Sequence, residues 1–112
     1  MKILVQTTFA ACLVSSTALA QVPALSTSWA NMTISQEDCL DRAEKALRQH
    51  AFRRIERIRE SVFGDTKDGR SQAVIRCAPD KQIAFFAMAG PHDREPELTK
   101  LINALKTTFG AF

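Results

Sequence analysis

Cysteine, glycine and proline are scarce in this 112-residue chain, at three, four and four residues. Those counts exclude collagen-like repeats and cysteine-dense miniature scaffolds. Histidine occurs only at positions 50 and 92, too far apart for a local metal motif. There is no glycine-rich phosphate loop, and no nucleophile elbow surrounds Ser61 or Ser71. Asp65-x-x-Asp68-Gly69 lacks the alternating oxygen ligands and closing glutamate of a calcium loop, and reads as a turn. The sequence therefore calls for no metal and no cofactor. With 46% apolar and 24% charged residues, the composition is that of a globular protein rather than a disordered one. The length allows one domain.

The N-terminus reads as an address. Lys2 supplies one positive charge, residues 3–19 carry none, and Ala18-Leu19-Ala20 places small residues at the −3 and −1 positions before Gln21. That pattern predicts a secretory signal peptide over residues 1–20. Polar residues from Gln6 to Thr17 interrupt the stretch, which is short for a membrane span. No transmembrane segment is expected after cleavage. Phe9-Ala10-Ala11-Cys12 loosely resembles a lipoprotein processing box, but Phe9 is a poor match, so Cys12 is read as part of the apolar leader. Loss of Lys2 lowers the net charge from +3 to +2. Two cysteines, Cys39 and Cys77, are left. An even count in an exported chain predicts one disulfide, in a periplasmic or secreted protein. The loop it closes, of about 39 residues, corresponds to roughly 4 kcal/mol in the chain-entropy account.

Residues 21–33 contain Pro23 and several serines and threonines, and show no sustained periodicity, so they read as a flexible tether. Within them Trp29 either packs against the domain edge or stands exposed as a partner anchor. The area an aromatic ring buries favours packing. The domain proper is expected over residues 34–112. Its first helix begins at Ser35, which can cap it, with Ile34 placed to staple onto Cys39. Cys39, Leu40, Ala43, Ala46 and Leu47 fall on one helical face. Asp38–Arg42, Asp41–Lys45 and Glu44–Arg48 are acid-first pairs on the other.

Residues 53–61 fit either a helix or a strand. Periodicity prefers helix, but the strands downstream need a partner, so residues 54–63 are assigned as a hairpin arm. Residues 72–77 form the second strand. Residues 82–89 form the third, an apolar run expected to be buried on both faces. A second helix starts near Asp93 or Glu95, with Leu98, Leu101, Ile102, Leu105 and Phe109 on its apolar face and Gly110 at its end. The expected fold is α+β, in the order α-β-β-β-α: a three-stranded antiparallel sheet with two helices on one face.

Cys39-Leu40-x-Arg42-Ala43, Ser61-Val62-Phe63-Gly64, Ile75-Arg76-Cys77 and Phe85-Phe86-x-x-Ala89-Gly90-Pro91 together resemble a family of small exported bacterial domains without an assigned function. The resemblance spans about residues 33–109. It implies a strand over residues 54–63 and implies no catalytic residue. The chain departs from it at His50-Ala51, where the family pattern has a glycine closing the first helix.

His92-Asp93 could act as a base with its orienting carboxylate, giving a small hydrolase. A polar loop with Asp93 as a helix cap accounts for the same residues, and the chain is not read as an enzyme. The densest basic stretch offers Arg53, Arg57 and Arg59 on one strand face, able to meet an acidic ligand or protein. The bland alternative is a solvated face balanced by Glu56 and Glu60. A charge of only +2 argues against nucleic acid. The expected role is a non-catalytic binding or protein-interaction module of the bacterial envelope, with Trp29 and the arginines as candidate contacts. An inhibitor of an envelope enzyme is one concrete form. The third strand, as an edge, would need a cover or a second chain, and a homodimer through it is one solution.

Overall fold

The computed structural model describes residues 23–112. Its elements run β1 (Ala24–Asn31), α1 (Gln36–Gln49), β2 (Arg53–Ile58), β3 (Ser61–Asp65), β4 (Gln72–Ala78), β5 (Ile83–Gly90) and α2 (Glu95–Gly110). The expected leader, its cleavage site and Cys12 lie outside the described residues. The class is α+β, with two helices and one antiparallel sheet. The sheet has five strands, in the order β1-β5-β4-β3-β2, rather than three.

Two corrections account for the extra strands. The stretch read as a tether contains β1, whose eight residues pair with β5 from Ala24 opposite Gly90 to Asn31 opposite Ile83. The single hairpin arm is itself a hairpin. Ile58 pairs with Ser61, leaving Arg59 and Glu60 as a two-residue turn. Arg59 takes the left-handed conformation there (φ 56°). Such turns favour glycine or asparagine, and their absence hid the reversal.

The first helix forms as its sequence predicts. Ser35 accepts a hydrogen bond from the Asp38 backbone N–H at 3.2 Å, and Glu37 and Asp38 sit at the positive end of the helix dipole. Its other end is a Schellman turn. The N–H of Phe52 donates to the Leu47 carbonyl (3.0 Å), and that of Ala51 to the Arg48 carbonyl (3.1 Å). Ala51 has φ 60°, so an alanine fills the left-handed position where glycine is usual. Phe52 and Leu47 are both buried, supplying the apolar contact that accompanies this turn.

Both helices lie on one face of the sheet. α1 covers β2, β3 and β4, while α2 covers β1 and β5. The core between them includes Leu40, Leu47, Val62, Ile75, Phe86, Met88, Leu98, Ile102, Leu105 and Phe109. Phe86 meets Phe109 edge to face, with ring centroids 5.4 Å apart. The Cys39–Cys77 disulfide joins α1 to the central strand β4 (Cα–Cα 6.0 Å), and both cysteines are buried. His50 Nε2 and Thr108 Oγ1 lie 2.7 Å apart and tie the end of α1 to α2. No helix among the described residues is long and apolar enough to cross a membrane.

Two outcomes follow. Ala51→Gly removes a strained Cβ at the end of α1, and net of the added freedom of the unfolded chain should stabilise by about 0.5–1 kcal/mol. A urea midpoint that rises without a change in slope is the expected observation. Replacing both Cys39 and Cys77 by alanine should cost roughly 4 kcal/mol in the same assay.

Candidate functional site

The alternation along the strands decides which surface is free. In β5, Ala84, Phe86 and Met88 point into the core, so Phe85 and Ala89 face outward and are exposed. The expectation of a strand buried on both faces is therefore corrected: among the described residues no helix lies over the second face. β5 is also not an edge, since β1 and β4 flank it on either side. A homodimer through that strand has no free edge to use.

The uncovered face carries an apolar surface. Leu25 is 66% exposed, Trp29 54%, Ile58 49% and Phe85 38%. The register arranges the outer face in rows. One runs Trp29, Phe85, Arg76, Ser61, Ile58 across all five strands. The next runs Thr27, Ala87, Val74, Phe63, Glu56, with Ala87, Val74 and Phe63 partly buried. Trp29 and Phe85 are directly opposed on that face, as cross-strand neighbours. Arg76, on the central strand, stands between Phe85 and Ile58 in the first row, and its guanidinium donates to Glu60 Oε1 at 2.7 Å. Of the four exposed apolar residues, Trp29 and Phe85 are neighbours across β1 and β5, Leu25 lies two pleats along β1, and Ile58 stands apart on β2. Trp29, expected to pack against the domain edge, instead stands more than half exposed on this face.

The arginines do not share a face. A bulge between Arg53 and Glu56 breaks the two-residue period, with Arg54 in the left-handed region (φ 52°). Beyond the bulge Arg57 turns under α1. It donates to Glu37 (3.0 Å), Glu44 (2.9 Å) and Asp41. Hydrogen bonds to Glu44 and then Asp41 raise its pKa above the ordinary arginine value, against the opposing effect of burial. Arg57 is thus an internal fastener between β2 and the acidic stripe of α1. Of the three expected acid-first pairs, Glu44–Arg48 forms, at 3.8 Å. Arg59 lies in the β2–β3 turn. Arg53 lines a recess of about 360 Å³ with Arg54 and Lys67, but Asp65 and Asp68 share it. Glu60, expected to balance the arginine strand, serves Arg76.

The residues raised for hydrolysis meet at one open groove of about 670 Å³, which Ser71, His92 and Asp93 help to line. Their arrangement is not that of a nucleophile and its base. The Ser71 hydroxyl is buried and has no hydrogen-bond partner, and a Cβ on Gly90 would run into it. Asp93 faces Arg70 at 3.9 Å rather than orienting His92. It does not cap α2 either: Arg94 holds that position, after a 3-10 turn over His92–Arg94. Among the described residues, no three His, Cys, Asp or Glu side chains gather as a metal site.

Leu25, Ile58 and Phe85 are exposed apolar residues of this face that sequence reasoning missed. Period-two alternation in residues 83–90 was concealed because both faces of β5 are apolar. No protein-family model matches this chain, and no curated protein matches it in sequence.

The loop beside the groove should contribute to the acid limb of stability. The Arg70 backbone N–H (3.0 Å) and the Thr66 hydroxyl (2.8 Å) donate to Asp68 Oδ1, and Arg94 lies 2.6 Å from Oδ2. Together they hold the Asp68 carboxyl below the usual aspartate value. A carboxylate depressed by folding stabilises fully above its unfolded pKa, about 3.9, and loses that contribution as pH falls through its folded value. Asp68→Asn should flatten this loss. Urea midpoints measured from about pH 5 downward should fall less steeply for the variant than for the wild type.

Proposed function

We propose that this chain is a non-catalytic protein-interaction module of the bacterial envelope, periplasmic or secreted, and that its bare sheet face is the contact surface. The observation that carries the reading is the exposure of Leu25, Trp29, Phe85 and Ile58 on a sheet face over which no helix among the described residues lies. Exposed aromatic and aliphatic side chains sharing one face are costly to leave in water and are typical of docking surfaces. The Cys39–Cys77 disulfide supports an oxidising compartment, and the leader-like residues 1–20 support export to one. The chain is read as an inhibitor of an envelope enzyme if its partner is one, with Trp29 as the rigid anchor. The hydrolase alternative is weakened by the buried Ser71 hydroxyl and by the Arg70–Asp93 contact. An acidic ligand at the arginines is weakened because Arg57 is committed to α1.

Site-specific photocrosslinking in the host envelope tests this reading. A benzophenone side chain at position 85 should form an adduct with one defined protein. The same group at Gln49 or Lys100, exposed on the two helices, should not. Equal labelling from both faces, or none from position 85, would contradict the assignment.

A further inference from the structure

The sheet ends in two edges of opposite character. The β2 edge carries Arg53, Arg54, Glu56 and Arg57 and is interrupted by the bulge at Arg54. Charges and bulges are the devices that keep edge strands from pairing with other chains. β1 has none of them. Its sequence, Ala-Leu-Ser-Thr-Ser-Trp-Ala-Asn, contains no charged residue and no proline, and its register against β5 runs without interruption for eight residues. Its other side has no strand partner among the described residues.

The chemistry of this edge selects its occupant. Pairing β1 with the β2 edge of another molecule would set the bulge and three arginines against it. Pairing β1 with itself opposes no charges. Antiparallel neighbours that directly face each other share a sheet face. For two copies related by a two-fold axis normal to the sheet, two registers overlap equally, one centred on Thr27 and one on Ser28. The second sets Leu25 against Asn31 and Trp29 against Thr27, so only the first, with Thr27 opposite Thr27, pairs the large apolar residues with each other. Ser26 then meets Ser28, and Leu25 meets Trp29, on both sides of the axis. Leu25 and Trp29 are the two most exposed large apolar residues among those described, and this register gives each the other as its cross-strand neighbour.

We propose that this chain forms a two-fold homodimer by antiparallel pairing of β1 with β1 of a second copy. The ten strands then form one sheet, and Leu25 of the second copy joins Trp29 and Phe85 in a single continuous apolar surface. The pairing does not depend on the docking role proposed for that surface. One strand pair and two Leu–Trp contacts fall at the small end of specific interfaces, below about 1,200 Å² in total. The dimer is therefore reversible, assembling in the micromolar range.

Charge-swapped variants at the axis test the proposal. Thr27 is exposed, so Thr27→Lys and Thr27→Glu leave the monomer fold intact, which circular dichroism verifies. The protein is purified from the host envelope and its mass followed by sedimentation equilibrium. The wild type should pass from one copy to two as concentration rises. Each variant alone should stay at one copy, and an equimolar mixture of the two should return to two. A wild type that remains one copy up to about 1 mM, or a dimer that persists in Thr27→Lys, would overturn the proposal. So would β1 amides protected from exchange by a different protein while no self-association occurs. Crosslinking from position 85 reads the docking role separately: adducts that persist in the Thr27 variants would leave it standing even if the dimer fails.

Discussion

The Cys39–Cys77 disulfide is the constraint from which the remaining arrangement follows. It fixes the first turns of α1 over β4, the middle strand of the sheet. With that point held, the apolar stripe of α1 from Cys39 to Leu47 lies on the sheet. The acidic stripe, Glu37, Asp41 and Glu44, overhangs β2. Arg57 rises from the strand into those three carboxylates. The bulge at Arg54 is what places it on that side, so an irregular strand and a cross-link at the sheet centre together seat the helix. At the far end of α1, the Schellman turn through Ala51 drops the chain directly into β2.

Two helices cannot cover both faces of a five-stranded sheet, and here both lie on the same one. That side holds the core, including the Phe86–Phe109 contact. The opposite side is a single exposed layer. Its chemistry differs from the polar outer face usual for a half-solvated antiparallel sheet. Apolar side chains occupy it where charge would serve solubility better, Leu25, Trp29, Phe85 and Ile58 among them, with Arg76 on the central strand between the last two. The same layer ends in an uncharged strand. An exposed apolar face and an uncharged edge strand therefore adjoin at Leu25 and Trp29.

The first helix was legible because its cap, its apolar spacing and its acidic first turn all agree. β4, β5 and α2 were legible from apolar runs bounded by turn residues and Pro96. β1 was not, and the reason is physical. Its core-facing positions are Ala24, Ser26, Ser28 and Ala30, small residues over which α2 lies, with Ser26 and Thr99 hydroxyls 3.3 Å apart. Its large residues, Leu25 and Trp29, point outward. The pattern is the inverse of an ordinary strand, and it read as a tether. The β2–β3 turn was missed because Arg59 and Glu60 carry none of the usual turn chemistry. The arginine face was misassigned because a bulge, which changes which way Arg57 points, leaves no mark in residue types. The disulfide, by contrast, followed from parity and compartment alone.

Phe85 and Phe86 are adjacent in sequence and lie on opposite faces of the sheet, so together they measure the division on which this account rests. Each is replaced by alanine, and unfolding is followed by urea denaturation. Phe86→Ala should cost about 3–5 kcal/mol, as for other buried aromatic deletions. Phe85→Ala should cost less than about 1 kcal/mol, the worth of an exposed cross-strand pair. That difference would establish the outer face as free of structural duty. Equal losses for the two would mean that the outer face holds the fold together, and would contradict its assignment as a contact surface.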